Sequence, residues 1–331
     1  MTAVPDRMRA AVYSEYGPPD VLSLHDVPVP TPAEGEVLVQ VVASSVNDWD
    51  YHLLTGEPFV NRMSGLREPR FPVLGADVAG RVVALGPGTS RVSVGDEVMG
   101  DVSGAGFGAF AEYVSAPEAA LVAKPASLTF EQAAALPQAG GLALAALRFG
   151  RRVQAGDRVL VNGAGGGVGT LATQAAVALG AHVTGVDAPH KLAGVRAAGA
   201  EEVRDYTRED AFTTGERYDR IVDVTSRRPL RAYRRALRPR GVAAIIGGSI
   251  PRVFFALAVG PLTPLAGGRR LGVPLWSAND EGDTAFLLRL VDTGAVRPVL
   301  DSVYPLDRVA EAFSRFDASE HVGKIVVTVG S

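Results

Sequence analysis

The run Arg158-Val159-Leu160-Val161-Asn162, followed by Gly163-Ala164-Gly165-Gly166-Gly167-Val168-Gly169 and the Ala-rich stretch Thr170 to Leu179, decides how this chain folds. A short apolar strand, a turn crowded with glycine and a helix in succession open a βαβ unit whose helix N-terminus offers backbone N–H groups to a pyrophosphate. The spacing is Ala164-x-Gly166-x-x-Gly169, with alanine, the smallest side chain that permits a tight turn, in place of the first glycine of the dinucleotide fingerprint. Such a pattern alone is weak. Its context strengthens it: the strand His182 to Val186 ends in Asp187, about 20 residues beyond the loop, where an acid for the ribose hydroxyls is expected. The stretch therefore points to a redox enzyme that uses a nicotinamide cofactor.

A chain of 331 residues exceeds one ordinary core and suits two domains. Hydrophobic residues at 47% and charged ones at 21% are those of a globular protein. The formal net charge of -3 gives no general attraction to nucleic acid or to anionic membranes. There is no cysteine, which excludes disulfides, a thiol nucleophile and thiolate metal sites. Neither a signal-peptide core nor an apolar run of ~18 residues is present, so a cytoplasmic location is expected. The lipophilic stretch Val253 to Ala266, cut by Gly260, Pro261 and Pro264, reads as a lid or interface piece.

Residues 8 to about 125 read as short strands separated by Pro and Gly, the pattern of a small, partly open β-barrel. From the capping box Thr129-Phe130-Glu131-Gln132 onward, strands and helices alternate, which is the signature of a doubly wound parallel sheet. The chain returns to β-like sequence at Val299 to Tyr304 and at Lys324 to Val329. The expected class is thus α/β with two domains: 1–125 with 299–331 as the β-rich substrate domain, and 126–298 as the nucleotide-binding domain.

Further landmarks stand in order: Ala10 to Tyr13 with Gly17-Pro18, Ser45-Val46-Asn47, Pro72 to Gly80, Val94 to Val98, Gly108 to Tyr113, Ala198-Gly199-Ala200, Asp205-Tyr206 and Gly323-Lys324. With them the chain resembles the medium-chain dehydrogenase/reductase superfamily, in its zinc-independent quinone-oxidoreductase-like branch, over essentially its whole length. The resemblance implies a GroES-like barrel joined to a Rossmann domain, and reduction of a quinone or an α,β-unsaturated carbonyl by NAD(P)H. An enoyl reductase of a biosynthetic route is one form this could take. Zinc-dependent relatives carry Cys where this chain has Ser45, His where it has Ala76, and Cys near Gln138, so no zinc is expected. A homodimer formed along the edge of the nucleotide-binding sheet is also implied, although Pro274 removes one ladder donor there.

The same resemblance locates the site. Asn47 matches a substrate- and nicotinamide-facing Asn and is expected to donate its amide to the acceptor oxygen. Five residues on, where relatives carry Tyr, stands His52 with Tyr51 beside it, and either is a candidate proton donor. The alternative is that Trp49 and Tyr51 pack under the loop and His52 is solvated; Asp48 and Asp50 read as surface turn residues. Leu142 replaces a nicotinamide-facing Thr, a loss that Gln138 can make good, and Gly140 with Gly141 is expected to open room for a bulkier ligand.

Cofactor contacts are expected from Ala164 to Gly169, from Asp187 and Tyr206, and from Thr225, Gly247, Gly248 and Ser249 at strand C-termini. Asp187 favours NADH, because its carboxylate repels a 2′-phosphate. NADPH is the alternative, with His190 and Lys191 as phosphate partners; Lys191 reads equally well as a solvated residue of a first helical turn. Two other functions stay open: a nucleotide-binding sensor or partner protein with little catalysis, and a metal-dependent alcohol dehydrogenase.

Overall fold

The structure, a computed structural model, describes residues 4–248 and 268–330. The chain divides into two units, Met1–Gln138 with Leu300–Ser331, and Ala139–Val299. In chain order the first unit opens with β1 (Arg7–Val12), β2 (Ser23–Pro28), β3 (Glu36–Ser45), α1 (Asp48–Thr55), β4 (Asp77–Leu85), β5 (Glu97–Asp101), β6 (Tyr113–Pro117), β7 (Leu121–Ala123) and α2 (Phe130–Ala134). The second holds most of α3 (Pro137–Arg148), then β8 (Arg158–Asn162), α4 (Gly167–Ala178), β9 (His182–Asp187), α5 (Leu192–Ala197), β10 (Glu202–Asp205), β11 (Tyr218–Asp223), α6 (Leu230–Ala236), β12 (Leu237–Ile245), β13 (Arg270–Gly272) and α7 (Glu281–Asp292). The chain re-enters the first unit with β14 (Leu300–Pro305), α8 (Val309–Asp317) and β15 (Lys324–Thr328). Residues 126–138 group with the first unit, because α2 packs on β3 and β4.

In the first unit β3 is the hub, paired antiparallel with β4, β6 and β15 in a sheet ordered β14-β15-β3-β4-β5-β7. Val37, Val39 and Val41 of β3 are buried with Phe110 and Phe313. Burial of each such side chain contributes about 1.5–3 kcal/mol. β15 places Val326 opposite Ser45, so the C-terminal return fixes the end of β3 from which the candidate site departs.

The second unit is a six-stranded, all-parallel sheet ordered β10-β9-β8-β11-β12-β13. The order runs outward from β8, then reverses at β11, which creates a topological switch point at the C-terminal ends of β8 and β11. Arg220 of β11 is fully buried, and its guanidinium donates to Ala146 O (3.1 Å), Phe149 O (2.6 Å) and Arg151 O near the end of α3. Burial pulls its pKa down to about 9. The stretch 249–267, which contains Ser249 and the whole of the expected lid or interface piece, lies outside the described residues. Among the described residues no helix is long and apolar enough to cross a membrane.

Candidate active site and nucleotide cradle

Ser45, the last residue of β3, faces Asp77, the first of β4, as an antiparallel pair. That register carries a buried polar network. Ser45 Oγ donates to Asp77 Oδ2 at 2.6 Å, and Asn47 Nδ2 donates to the same oxygen at 2.9 Å and to Ser45 O at 3.3 Å. Gln138 N donates to Asp77 Oδ1 at 2.8 Å. Lys324 Nζ, at the start of β15, lies 2.5 Å from Asn47 Oδ1, 3.1 Å from Val46 O and 3.4 Å from Asp77 Oδ2. Asp77 is fully buried and Lys324 nearly so, which makes them a desolvated ion pair with hydrogen bonds to the remaining lone pairs and protons.

Asn47 and Gln138 both bond Asp77, but Asn47 is spent. Both hydrogens of its amide point at protein acceptors and its carbonyl accepts from Lys324, so the expected donation to an acceptor oxygen has no free N–H in this arrangement. The Gln138 side chain likewise turns inward, with Nε2 3.3 Å from Asp101 Oδ2. Burial, then the charge of Asp77, pushes Asp101 up to about 6.

Asp50 corrects the reading of a surface turn. It is fully buried, accepts from Gly75 N (3.0 Å) through Oδ1 and from Asn47 N (3.1 Å) through Oδ2, and thereby starts α1. Burial, reinforced by Asp77, pushes its pKa up to about 7. Asp48, by contrast, is exposed as expected and pairs with His52 one turn on, at 3.2 Å from Nε2. This contact raises the pKa of His52 above its ordinary value, and the side chain is 37% exposed. Tyr51 points elsewhere: its hydroxyl donates to Asp317 Oδ1 at 2.5 Å and its ring packs on Phe316. Burial, followed by the Asp317 bond, lifts it to about 12, which leaves it a poor acid beside His52.

In the second unit α4 begins at Gly167 with Gly166 as its N-cap, and residues 166–168 are partly exposed. The first N–H groups of a helix have no intrahelical acceptor. A Cβ on Gly166 would meet nothing nearer than Gly163 O at 3.8 Å, whereas one on Gly169 would lie 2.0 Å from Gly163 O. Gly166 thus leaves the N-terminus open to a phosphate, and Gly169 allows helix and strand to touch. Asp187 ends β9 with Oδ2 accepting from Gly165 N (2.6 Å) and Oδ1 from Ala188 N (2.8 Å). Each oxygen keeps a lone pair for a ribose hydroxyl.

Lys191 is buried, not solvated: a Cβ on Gly165 would fall 2.8 Å from its Cβ and 3.0 Å from both its Cδ and Asp187 Oδ2, so its stem crosses the loop beside Asp187. His190, beside Lys191 in sequence, is exposed, as is Tyr206, whose N–H donates to Asp187 O at 3.3 Å. At the switch point Asn162 Nδ2 donates to Asp223 Oδ1 and to Thr225 Oγ1, both at 2.8 Å. Gly248 adopts φ +111, and its added Cβ would meet Ser226 O at 2.7 Å; an added Cβ on Gly247 would meet Val224 O at 2.6 Å. These loops approach backbone to backbone. The glycine pair in α3 does not open space: a Cβ on Gly140 would lie 2.4 Å from Leu287 Cδ2, and one on Gly141 2.7 Å from Trp276 Nε1. The chain's own side chains fill the volume.

Asp50, Asp77, Lys324 and Asn162 were not read as site residues. The spacing Asn47-x-x-Asp50 is a capping-box variant that could have announced α1. Gly323-Lys324 stood only as a landmark.

A phosphate-ready helix start beside a strand-end acid, at one side of a doubly wound sheet, defines the class: a two-domain, dinucleotide-binding oxidoreductase. Residues 33–126 match the alcohol dehydrogenase GroES-like domain, and residues 198–327 match the zinc-binding dehydrogenase family. The chain is 34% identical to a chloroplast envelope quinone oxidoreductase homolog of Arabidopsis thaliana, over 97% of this chain and 98% of that one. It is 32% identical to an NADPH-dependent alkenal/one oxidoreductase, chloroplastic, of the same plant, over 98% of this chain and 80% of that one. The solved quinone oxidoreductase of Coxiella burnetii superposes with a TM-score of 0.86 at 29% identity, covering 98% and 100%. The chain belongs to the medium-chain dehydrogenase/reductase superfamily, in its quinone oxidoreductase-like branch.

One of those family names implies zinc, and the residues here do not fit it. Ser45 is a hydroxyl already donating to Asp77, Ala76 has no donor atom, and the Lys324 ammonium supplies the positive charge beside the carboxylate. Among the described residues no three His, Cys, Asp or Glu side chains are grouped to hold a metal.

Proposed function

We propose that this protein is a zinc-independent NAD(P)H-dependent reductase that delivers hydride to a quinone or an α,β-unsaturated carbonyl. The observation that carries this reading is the cradle at Gly166–Val168 with Asp187 held beside it, in a chain whose metal-ligand positions are Ser45, Ala76 and Gln138. The names of the plant relatives, with quinone and alkenal/one acceptors, support the substrate class.

Residues 166–168 would hold the pyrophosphate and Asp187 the adenosine ribose. A bound nicotinamide supplies the hydride. What remains for the chain is to orient the acceptor and give one proton, so that a quinone becomes a hydroquinone or an enone a saturated carbonyl. His52 suits that proton transfer, since Asp48 keeps a larger share of the imidazole protonated near neutral pH. Asn47, locked by Lys324 and Asp77, positions α1 and with it His52. Asp187 favours NADH, and the name of one relative favours NADPH. A homodimer along the outer edge of β13 completes the reading, and sedimentation of the purified protein tests it.

The commitment of the Asn47 amide favours a second reading, a nucleotide-binding sensor with little turnover. The decisive experiment titrates chelator-treated protein with NADH and NADPH, then follows cofactor oxidation with quinones and enones. Saturable binding with turnover supports the reductase, binding without turnover supports the sensor, and activity restored by zinc overturns the metal-free mechanism.

A further inference from the structure

We infer that Trp49, Phe107 and Phe71 form a stacking wall that selects planar fused-ring acceptors of the naphthoquinone kind over open-chain enones; this rests on the reductase reading above. Phe107 is held at φ 67, between Gly106 at φ 109 and Gly108 at φ 114. A bulky residue in the left-handed region is an outlier that persists only where its surroundings hold it, and such outliers cluster at functional sites. Here its N–H donates to Val102 O at 3.1 Å, and the strained backbone aims a buried ring. That ring meets Trp49 edge-on, with centroids 5.4 Å apart at 89°, and Phe71 at 5.1 Å and 55°.

Trp49 is 41% exposed although it is braced from one side by Phe107. It stands in the first turn of α1, two residues after Asn47 and between Asp48 and Asp50, so the helix start that follows Asn47 carries the wall. The Arg70 guanidinium sits 5.4 Å over the Phe71 ring and gives the wall a positive rim that suits electron-rich acceptor oxygens. A large, pre-braced indole face gains most from a flat partner of comparable extent, because ring stacking adds to the apolar area buried. An open-chain enone presents only one conjugated segment and gains little.

Steady-state reduction of 1,4-naphthoquinone and of a straight-chain enone, by wild type and Trp49→Leu, tests this. The KM for naphthoquinone is expected to rise about tenfold, the scale of a lost ring stack with its buried face, while the enone KM stays within about twofold. Trp49→Phe should recover most of the loss. A second readout needs no turnover: the chain has two tryptophans, so in Trp276→Phe the emission comes from Trp49. Naphthoquinone should quench it saturably, at concentrations near its KM. An equal rise in both KM values, or quenching of the Trp49 emission that does not saturate, overturns the wall. If neither acceptor is turned over, the reductase reading fails, and the quenching titration alone decides the wall.

Discussion

Lys324 reaches across 247 residues of sequence to Asp77, with Nζ 3.4 Å from Oδ2, the carboxylate fully buried and the ammonium side chain nearly so. Removing one partner of a buried pair leaves the other charge uncompensated, at a cost of ~3–5 kcal/mol. Lys324→Met is therefore expected to lower unfolding stability by about that much, and Lys324→Met with Asp77→Asn to recover part of it. Urea unfolding of the three proteins checks this; a stable Lys324→Met would mean that water reaches the pair.

Asp50 makes stability depend on pH in the direction opposite to an ion-paired carboxylate. Its folded-state pKa, about 7, lies above the ordinary 3.8. Between those values the folded chain binds the proton and the unfolded chain does not, so stability falls as pH rises from about 4 to 7. The contribution is complete below the unfolded value and gone above the folded one. Asp50→Asn should flatten that slope in melts at pH 5 and pH 8, and an unchanged slope would exclude Asp50 as its source.

The two fingerprint glycines should fail differently. Gly166→Val has room to fold, and its side chain would stand over the helix N-terminus, so nucleotide affinity should drop by at least about tenfold with the melting temperature nearly kept. Gly169→Val would drive Cβ into Gly163 O, a clash expected to cost more than ~4 kcal/mol. Calorimetric titration beside thermal melts separates the two, and a folded Gly166→Val with full affinity would remove the loop from the binding site.

Asp187→Ser removes a negative charge from the ribose position. The ratio of NADPH to NADH affinity should rise on the order of tenfold, the ~1.4 kcal/mol scale of one screened charge contact. Because Asp187 also holds Gly165 N, both affinities can fall, and the ratio alone is diagnostic.

If His52 gives the proton, the alkaline limb of the pH–rate profile reports its ionisation. Asp48→Asn removes the hydrogen bond that raises the pKa of His52, so that limb should move to lower pH while KM for the nucleotide holds. A stationary limb would assign the proton to another group.

The Gly163 to Gly169 turn and the alternation around it were legible because strand, turn and helix there depend on neighbours in sequence. The core of β3, β8 and β11 was legible for the same reason. The helix Asp48–Thr55 was not, since its start depends on Asp50 bonding Gly75 and its outer face on Asp317, far along the chain. The sequence points to Asn47, but the direction of its amide is set by Lys324 and Asp77, which only the β15-β3-β4 register brings together. Buried polar residues disclose a role through partners, and partners at long range leave no local pattern.

The glycine pair in α3 carries an evolutionary constraint. Gly140 can grow only if Leu287 gives way, and Gly141 only if Trp276 does, since an added carbon at either would lie under 3.0 Å from a side-chain atom. Bulk at these points is thus exchanged between two parts of the chain rather than gained by either one. Lineages that remodel this helix should therefore change residues in pairs, and a double-mutant cycle on Gly140→Ala and Leu287→Ala should show the exchange as a favourable coupling of about 0.5–3 kcal/mol.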